Sequence, residues 1–361
     1  MTLEKIKDIE SEIARTQRNK ATESHLAILK AKLSKLRRAL LQPTASKNHI
    51  DTGFDISKSG VARVGFIGFP SVGKSTLMNR LTNVKSEVAA YEFTTLTAMP
   101  GELKLNNARI QILDLPGIIE GAKSGKGRGK QVLGMARSCN LVLIVLDSTK
   151  PLQHKKIIDN ELYGFGMRLN KQKPNIKITK KDRGGGGLSI INHTKTPTEI
   201  FQRVCEEYRV NSSEVKINEG DVDDLIDAIE GNRIYVPSFY VLNKVDGVTL
   251  PELNVLCRMK HVVPISSEKE WGLEYLKDQL WAYLDLVRIY PKPKGQPVDE
   301  PVVLKRGRTT VREFCAVIHK DLVKSFKYAI VWGESVKHCP QKVGKDHMLV
   351  DGDVIQIVKT Y

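Results

Sequence analysis

The chain has 361 residues, 41% of them hydrophobic and 27% charged, which leaves room for two or three domains, each with its own core. The longest apolar run, Leu141–Leu146, is far shorter than a bilayer requires, and the N-terminal MTLEKIKDIE carries acids where a secretory core would sit, so neither a membrane span nor a secretory peptide is expected. A net charge of +16 is more than one small-molecule site uses and points to a polyanionic partner, RNA foremost, with a solubilising basic surface as the alternative.

Residues 1–42 read as two helices. Leu3, Ile6, Ile9 and Ile13 recur at helical spacing, as do Leu26, Leu29, Leu33, Leu36 and Leu40, with a polar break from Thr16 to Thr22. Lys30, Lys32, Lys35, Arg37 and Arg38 make the second helix basic, either as an RNA-binding arm or as a solvated face. The polar stretch 43–60 reads as a linker.

Residues 61–81, VARVGFIGFPSVGKSTLMNRL, place a buried strand, a tight loop and an amphipathic helix in succession around G-x-x-x-x-G-K-S. The loop Gly68-Phe69-Pro70-Ser71-Val72-Gly73 would cradle a polyphosphate on its backbone N–H groups, at a helix end of positive potential that begins with Lys74, Ser75 and Thr76. Lys74 suits the β- and γ-phosphates and the Ser75 hydroxyl suits Mg²⁺. This loop does not by itself distinguish ATP from GTP.

Strand-like runs follow at Ala98–Leu105 and Ala108–Leu113. The second leads into Asp114-Leu115-Pro116-Gly117, an acid at the carboxyl end of a strand, where open α/β sheets bind ligands. Asp114 is the natural outer-sphere carboxylate for a phosphate-bound Mg²⁺, and the Gly117 amide is placed to meet a γ-phosphate. Residues 117–131 are Gly-rich and basic, and are expected to be ordered by the γ-phosphate and released on hydrolysis.

Asn140–Asp147 reads as a fully buried strand and Tyr235–Leu242 as the next central one. The gap between them is too long for one crossover helix, so residues 163–232 are expected to form an inserted α/β subdomain. Its strands are predicted at Asn175–Lys180 and Leu188–Asn192, and its helices at Thr198–Tyr208 and Asp221–Glu230. Asn243-Lys244-Val245-Asp246 then selects the base. Asp246 accepts both the ring N–H and the exocyclic amine of guanine, a pairing adenine does not offer. Asn243 would tie this loop to the phosphate loop, and the Lys244 stem would lie across the purine. A strand leading into Ser266 and Ser267 would bring their amides to the guanine keto oxygen, and Trp271–Tyr290 is predicted as a closing helix. After a linker at Pro291–Gly295, residues 301–361 read as a ubiquitin-like module with a helix over Val311–Leu322 and a β segment after the Asp351-Gly352 turn.

The five cysteines are scattered and odd in number, as expected for reduced thiols in the cytoplasm. Cys315, His319, His338, Cys339 and His347 lack finger-like spacing and are assigned core and surface roles.

GFPSVGKS, YEFTTLT, DLPGIIEGAKSGKGRGKQ, NKVD and the 301–361 tail together resemble the developmentally regulated GTP-binding proteins, Obg-related translation-factor GTPases. The resemblance spans the chain. It implies an α/β fold: a P-loop G domain (61–162 and 233–290) with a small α/β insert (163–232), an N-terminal helical hairpin and linker (1–60), and a C-terminal ubiquitin-like β-grasp, or TGS, domain (291–361). It further implies that Thr95 joins Ser75 as a Mg²⁺ ligand, that Lys74, Thr95 and Gly117 carry catalysis, and that the partners are the ribosome, through rRNA or tRNA, and a dedicated regulatory protein, with no membrane or DNA partner. Ras-like enzymes place Gln after the D-x-x-G glycine; here that position is Ile118, so slow intrinsic hydrolysis is expected, with K⁺ as a candidate helper. Three readings stand at this point: a GTPase acting on ribosomes, a GTP-gated RNA or protein adaptor with incidental hydrolysis, and an ATP-using P-loop enzyme, against which Asp246 argues.

Overall fold

The computed structural model describes residues 2–41, 60–82, 100–115, 134–180, 187–190, 197–210 and 213–359. The stretch expected to respond to a γ-phosphate, 117–131, lies outside these residues, as do Thr95, Gly117 and nearly all of the 43–60 linker.

In chain order, the helices α1 (Thr2–Arg15) and α2 (Glu23–Leu41) come first. Strand β1 (Ala62–Gly68) leads through the phosphate loop into α3 (Lys74–Leu81). Strands β2 (Pro100–Leu105) and β3 (Ala108–Asp114) form a hairpin. Its two turn residues, Asn106 and Asn107, both take positive φ (48° and 63°), which suits the right-handed twist of the flanking strands. Strand β4 (Leu141–Asp147) and helix α4 (Gln153–Gly164) follow. The next segment contains β5 (Met167–Leu169), β6 (Ile176–Lys180), β7 (Gly187–Ile190), α5 (Thr198–Glu207), β8 (Ser213–Ile217), α6 (Val222–Glu230) and β9 (Ile234–Val236). Strand β10 (Ser238–Asn243), α7 (Leu250–Leu256), β11 (Val262–Pro264) and α8 (Leu273–Leu284) lead to the C-terminal elements. These are β12 (Leu286–Pro291), β13 (Val302–Lys305), α9 (Val311–Ile318), α10 (Lys320–Lys324), β14 (Phe326–Trp332), β15 (Gln341–Val343) and β16 (Val354–Lys359).

The described residues divide into two units. The larger is built on a six-stranded sheet of order β11-β10-β4-β1-β3-β2. All neighbours run parallel except β2, which closes one edge antiparallel to β3. Every residue of β4 is buried, which is why its sequence is a continuous apolar run instead of an alternating one. The parallel register brings the carboxyl ends of β1, β3, β4 and β10 to one side, so that Gly68, Asp114, Asp147 and Asn243 share one rim. The core beneath that rim joins Val64, Phe66, Leu77, Leu143, Phe239 and Leu276 and continues through Leu284 and Leu286 to Val303. Next to it the chain forms a five-stranded sheet, β13-β12-β16-β14-β15. In it β12 and β16 run parallel at the centre and α9 packs over one face, through Val311 and Phe314 onto Ile289, Ala329 and Ile355. That is the β-grasp arrangement expected of a ubiquitin-like domain.

Three predicted elements need correction. The helix expected over Trp271–Tyr290 ends at Leu284, because Asp285 turns left-handed (φ 50°) and the alternating β-branched residues of 286–291 pair with β13 and β16. Pro291 is thus strand, not linker. The single strand expected at Tyr235–Leu242 is two: β9 pairs with β5, Pro237 interrupts, and β10 joins the main sheet. The helix expected over Val311–Leu322 breaks at His319, whose extended backbone caps α10.

The second unit joins the N-terminal hairpin to the inserted segment. The sheet β6-β8-β7 packs Val215 and Ile217 against Phe201 and Val204 of α5 and Leu225 of α6, and Ala27 and Ala31 of α2 enter the same cluster. Most of the charges of α2 are therefore partly exposed and paired within this unit. Lys30 reaches Asp223 (2.8 Å), Lys35 reaches Glu207 (2.9 Å), Arg37 reaches Glu10 (2.7 Å) and Arg38 reaches the buried Glu230 (3.1 Å). Behind them Asp227 is buried between two guanidiniums. Arg168 grips it in bidentate fashion (2.6 and 2.7 Å) and Arg233 adds a third hydrogen bond (2.8 Å). The exposed pairs each contribute little. Removing the central carboxylate leaves two buried cations uncompensated, so Asp227→Ala is expected to lower stability by about 3–5 kcal/mol, read as an earlier chemical-denaturation midpoint. An unchanged midpoint would show that this cluster does not hold the unit together.

Candidate nucleotide-binding site

The loop after β1 is shaped by two glycines for two different reasons. At Gly68 a Cβ would sit 2.5 Å from the carbonyl oxygen of Val145, because β1 and β4 approach closely there. Gly73 takes φ +90° at the N-cap of α3, and a Cβ there would meet the Asn243 amide at 2.3 Å. Between them Ser71 also takes positive φ (62°), and Val72 turns inward into the core. Phe69 stacks on His154 at the start of α4, with ring centroids 4.4 Å apart, and Pro70 is exposed. The Lys74 ammonium lies back across the loop and donates to the carbonyls of Gly68 and Phe69, at 2.9 Å each. Ser75 and Thr76, the next residues of α3, are exposed at the helix start.

Asp114 ends β3 on the same rim. Burial raises its pKa, while the Lys74 charge pulls the other way. One of its carboxylate oxygens, Oδ1, is buried without a hydrogen-bond partner among the described residues. An orphaned carboxylate oxygen within the field of a lysine, beside a polyphosphate cradle with a helix-start serine, suits the outer sphere of a hydrated divalent cation. The residues therefore fit Mg²⁺.

The second half of the site is welded to the first. Buried Asn243 donates from Nδ2 to the Val72 carbonyl (2.8 Å), and its Oδ1 accepts from both the amide and the hydroxyl of Ser267 (2.9 Å each). Lys244, held at positive φ (64°), donates to the Ser71 carbonyl (2.9 Å) and to Asp147 (2.7 Å). Asp246 is exposed and accepts from Ser266 Oγ (2.6 Å), and this hydrogen bond, ahead of its other interactions, keeps its carboxyl below the ordinary range. The structure thus brings together Gly68 to Thr76, Asp114, Asn243, Lys244, Asp246, Ser266 and Ser267.

Sequence reasoning missed Asp147. Burial alone would raise its pKa, but hydrogen bonds from Lys244 and from the Thr149 side chain and amide outweigh it and hold the carboxyl low. Its place was readable: like Asp114, it is an acid at the carboxyl end of an apolar strand, and it lies opposite Asn243 in register. Ser148 belongs to the same brace, donating from its hydroxyl to the Lys244 carbonyl (2.9 Å).

Known proteins resemble this chain along its length. The family model described as "50S ribosome-binding GTPase" matches residues 63–181, "C-terminal region of MMR_HSR1 domain" matches 185–286, and "TGS domain" matches 287–359. The Xenopus laevis developmentally-regulated GTP-binding protein 1 is 56% identical over 99% of both chains. The chain belongs to the developmentally regulated GTP-binding protein family. Family membership makes it a GTP-binding protein with a P-loop GTPase domain and a TGS domain. Another relative, the Saccharomyces cerevisiae ribosome-interacting GTPase 1, is 53% identical over 99% of both chains. Among solved structures, the Schizosaccharomyces pombe YchF GTPase aligns over 84% of this chain and 99% of that one, at 14% identity and a TM-score of 0.48. No helix among the described residues is long and apolar enough to cross a membrane.

Proposed function

We propose that this chain hydrolyses GTP to GDP and phosphate in a Mg²⁺-dependent reaction, acts on ribosomes in the cytoplasm, and turns over slowly by itself. The observation that carries the nucleotide reading is Asn243, whose single amide holds the phosphate loop at Val72 and the base loop at Ser267. With both loops fixed before ligand arrives, little ordering remains to be done on binding. Ser75, and Thr95 from the segment outside the described residues, would ligate Mg²⁺, with Asp114 behind them accepting from its water. The bound ion would neutralise developing phosphate charge. Lys74 would leave the carbonyls of Gly68 and Phe69 for the β- and γ-phosphates, and the Gly117 amide would meet the γ-phosphate. The amides of Ser266 and Ser267 would face the guanine keto oxygen.

Ile118 offers no hydrogen bond to the attacking water, so part of the catalytic apparatus comes from elsewhere: backbone groups, a monovalent cation, or a residue of a regulatory protein. We expect faster turnover in K⁺ than in Na⁺; equal rates in the two salts would remove the cation. The net charge of +16 and the name of the yeast relative support ribosomal RNA as the anionic partner. The deciding experiment is single-turnover GTP hydrolysis with and without purified ribosomes, beside co-sedimentation in GTP, GDP and a non-hydrolysable analogue. Stimulation together with GTP-dependent sedimentation is the expected result. GTP-dependent sedimentation without stimulation favours the second reading, an adaptor gated by GTP, to which the missing water-orienting side chain at Ile118 also speaks.

A further inference from the structure

Strand β4 leaves the main sheet through Asp147-Ser148-Thr149, and this turn touches the base loop at every residue. The Ser148 amide donates to the Asn243 carbonyl (2.9 Å) and its hydroxyl to the Lys244 carbonyl (2.9 Å). Thr149 lies so close to Gly247 that a Cβ there would stand 3.1 Å from its methyl carbon. Asp147 divides its two oxygens between two tasks. Oδ1 closes the turn, accepting from the amide (3.0 Å) and the hydroxyl (2.6 Å) of Thr149, whereas Oδ2 accepts from the Lys244 ammonium (2.7 Å). The carboxylate is buried, with 4% of its side chain exposed, while the lysine side chain keeps 43%. The same ammonium donates to the Ser71 carbonyl at 2.9 Å. One lysine stem thus spans the base loop, the phosphate loop and the exit of β4.

The turn by itself does not need the charge. A neutral asparagine oxygen closes the same turn on Thr149, and a buried carboxylate is costly to keep without a cation beside it. The second oxygen and the charge are accounted for by Lys244. A lysine stem loses more rotamer freedom on being fixed than almost any other side chain. Fixed beforehand at its head, it meets the purine with that loss already taken. We propose that Asp147 is a positioning residue for the purine: its charge holds the Lys244 stem as a wall across the base before nucleotide arrives, and so sets how slowly guanine nucleotides leave. This role rests on the reading of the site as a guanine-nucleotide site. The wall is blind to the edge of the base, which Asp246 reads. Asp147 therefore governs retention, and Asp246 governs selection.

The test is stopped-flow release of fluorescent GDP and fluorescent inosine diphosphate from the full chain, each chased with unlabelled GDP. Asp147→Asn keeps an oxygen for Thr149 and sets its NH₂ against the ammonium, donor to donor. GDP release should quicken by about tenfold, the low end for a hydrogen bond to a charged group because the ammonium is partly exposed. Inosine diphosphate, which lacks the exocyclic amine, should quicken by the same factor. In a Lys244→Met background the substitution should change release by less than about twofold, because the stem has lost the head that Asp147 holds. A carboxylate that merely shapes the turn would give its full effect in both backgrounds, and a disturbed Asp246 loop would loosen GDP more than inosine diphosphate. Either result overturns the proposal, as does release from Asp147→Asn as slow as from wild type. Should Asp147→Asn fail to fold, Lys244→Gln decides. Its amide can donate to the Ser71 carbonyl but carries no charge for Asp147, so release is expected to quicken by about tenfold again, and wild-type release would overturn the role of the pair. A wild type that binds neither nucleotide would overturn the reading of the site itself, which keeps the two failures distinct.

Discussion

Lys74→Ala is expected to abolish useful GTP binding, raising Kd by a hundredfold or more. The side chain is the one cation the loop itself supplies to the phosphates, and its hydrogen bonds to them would be charge-assisted on both sides, roughly twice the strength of neutral ones. In the described conformation it serves the loop carbonyls of Gly68 and Phe69, so removal also frees two acceptors next to the phosphates. Thermal or chemical unfolding with and without nucleotide separates the two consequences. At GTP one hundred times the wild-type Kd, ligand binding stabilises the wild type by about 2.7 kcal/mol, and a hundredfold weaker variant at the same concentration gains only about 0.4 kcal/mol. The ligand-free stability should change far less than that difference. If Lys74→Ala binds GTP as wild type does, the phosphate role assigned to this loop is wrong.

What could be read in the sequence divides along a physical line. The phosphate loop, the strand before it and the Asn243–Asp246 loop were legible because each is local: the chemistry and its backbone context lie within about twenty residues. The buried strands at 62–68 and 141–147 declared themselves as β-branched or aliphatic runs with no helical period. What sequence did not yield is of longer range. The ion pairs that seat α2 on the inserted segment join residues more than 170 positions apart, as between Lys30 and Asp223, and nothing in a run of lysines distinguishes a paired face from a solvated one. The extension of a helix to Tyr290 failed for a different reason. Leu273 to Leu284 sets a helical period that the apolar residues after it continue by accident, and only the left-handed turn at Asp285 and pairing with β16 convert them to strand. Asp147 was missed because it matters only through Lys244, which is beside it in space but not in sequence.

The base-selecting carboxylate offers the sharpest change of function. Ser266 Oγ donates to Asp246 Oδ1. An amide introduced by Asp246→Asn would keep its own oxygen on that hydroxyl, and this turns its NH₂ toward the purine edge in place of the second carboxylate oxygen. Guanine presents donors there, so two charge-assisted hydrogen bonds become one neutral bond and one donor facing a donor. With two hydrogen bonds to a charged group lost, GTP affinity should fall by about two to four orders of magnitude. Xanthine carries a keto oxygen where guanine carries its amine, so xanthosine triphosphate should bind the variant better than GTP, reversing the wild-type order. Adenine gains nothing, since its ring nitrogen accepts where guanine donates. In the wild type the same Ser266 hydrogen bond holds the carboxyl below the ordinary range of about 3.9, so the acceptor stays ionised as pH falls and its contribution disappears only below that range. Discrimination between GTP and ATP should therefore be flat from pH 8 to pH 5. Competition titrations with GTP, ATP and xanthosine triphosphate across that interval test both statements, and a variant that still prefers guanine would remove Asp246 from the recognition of the base.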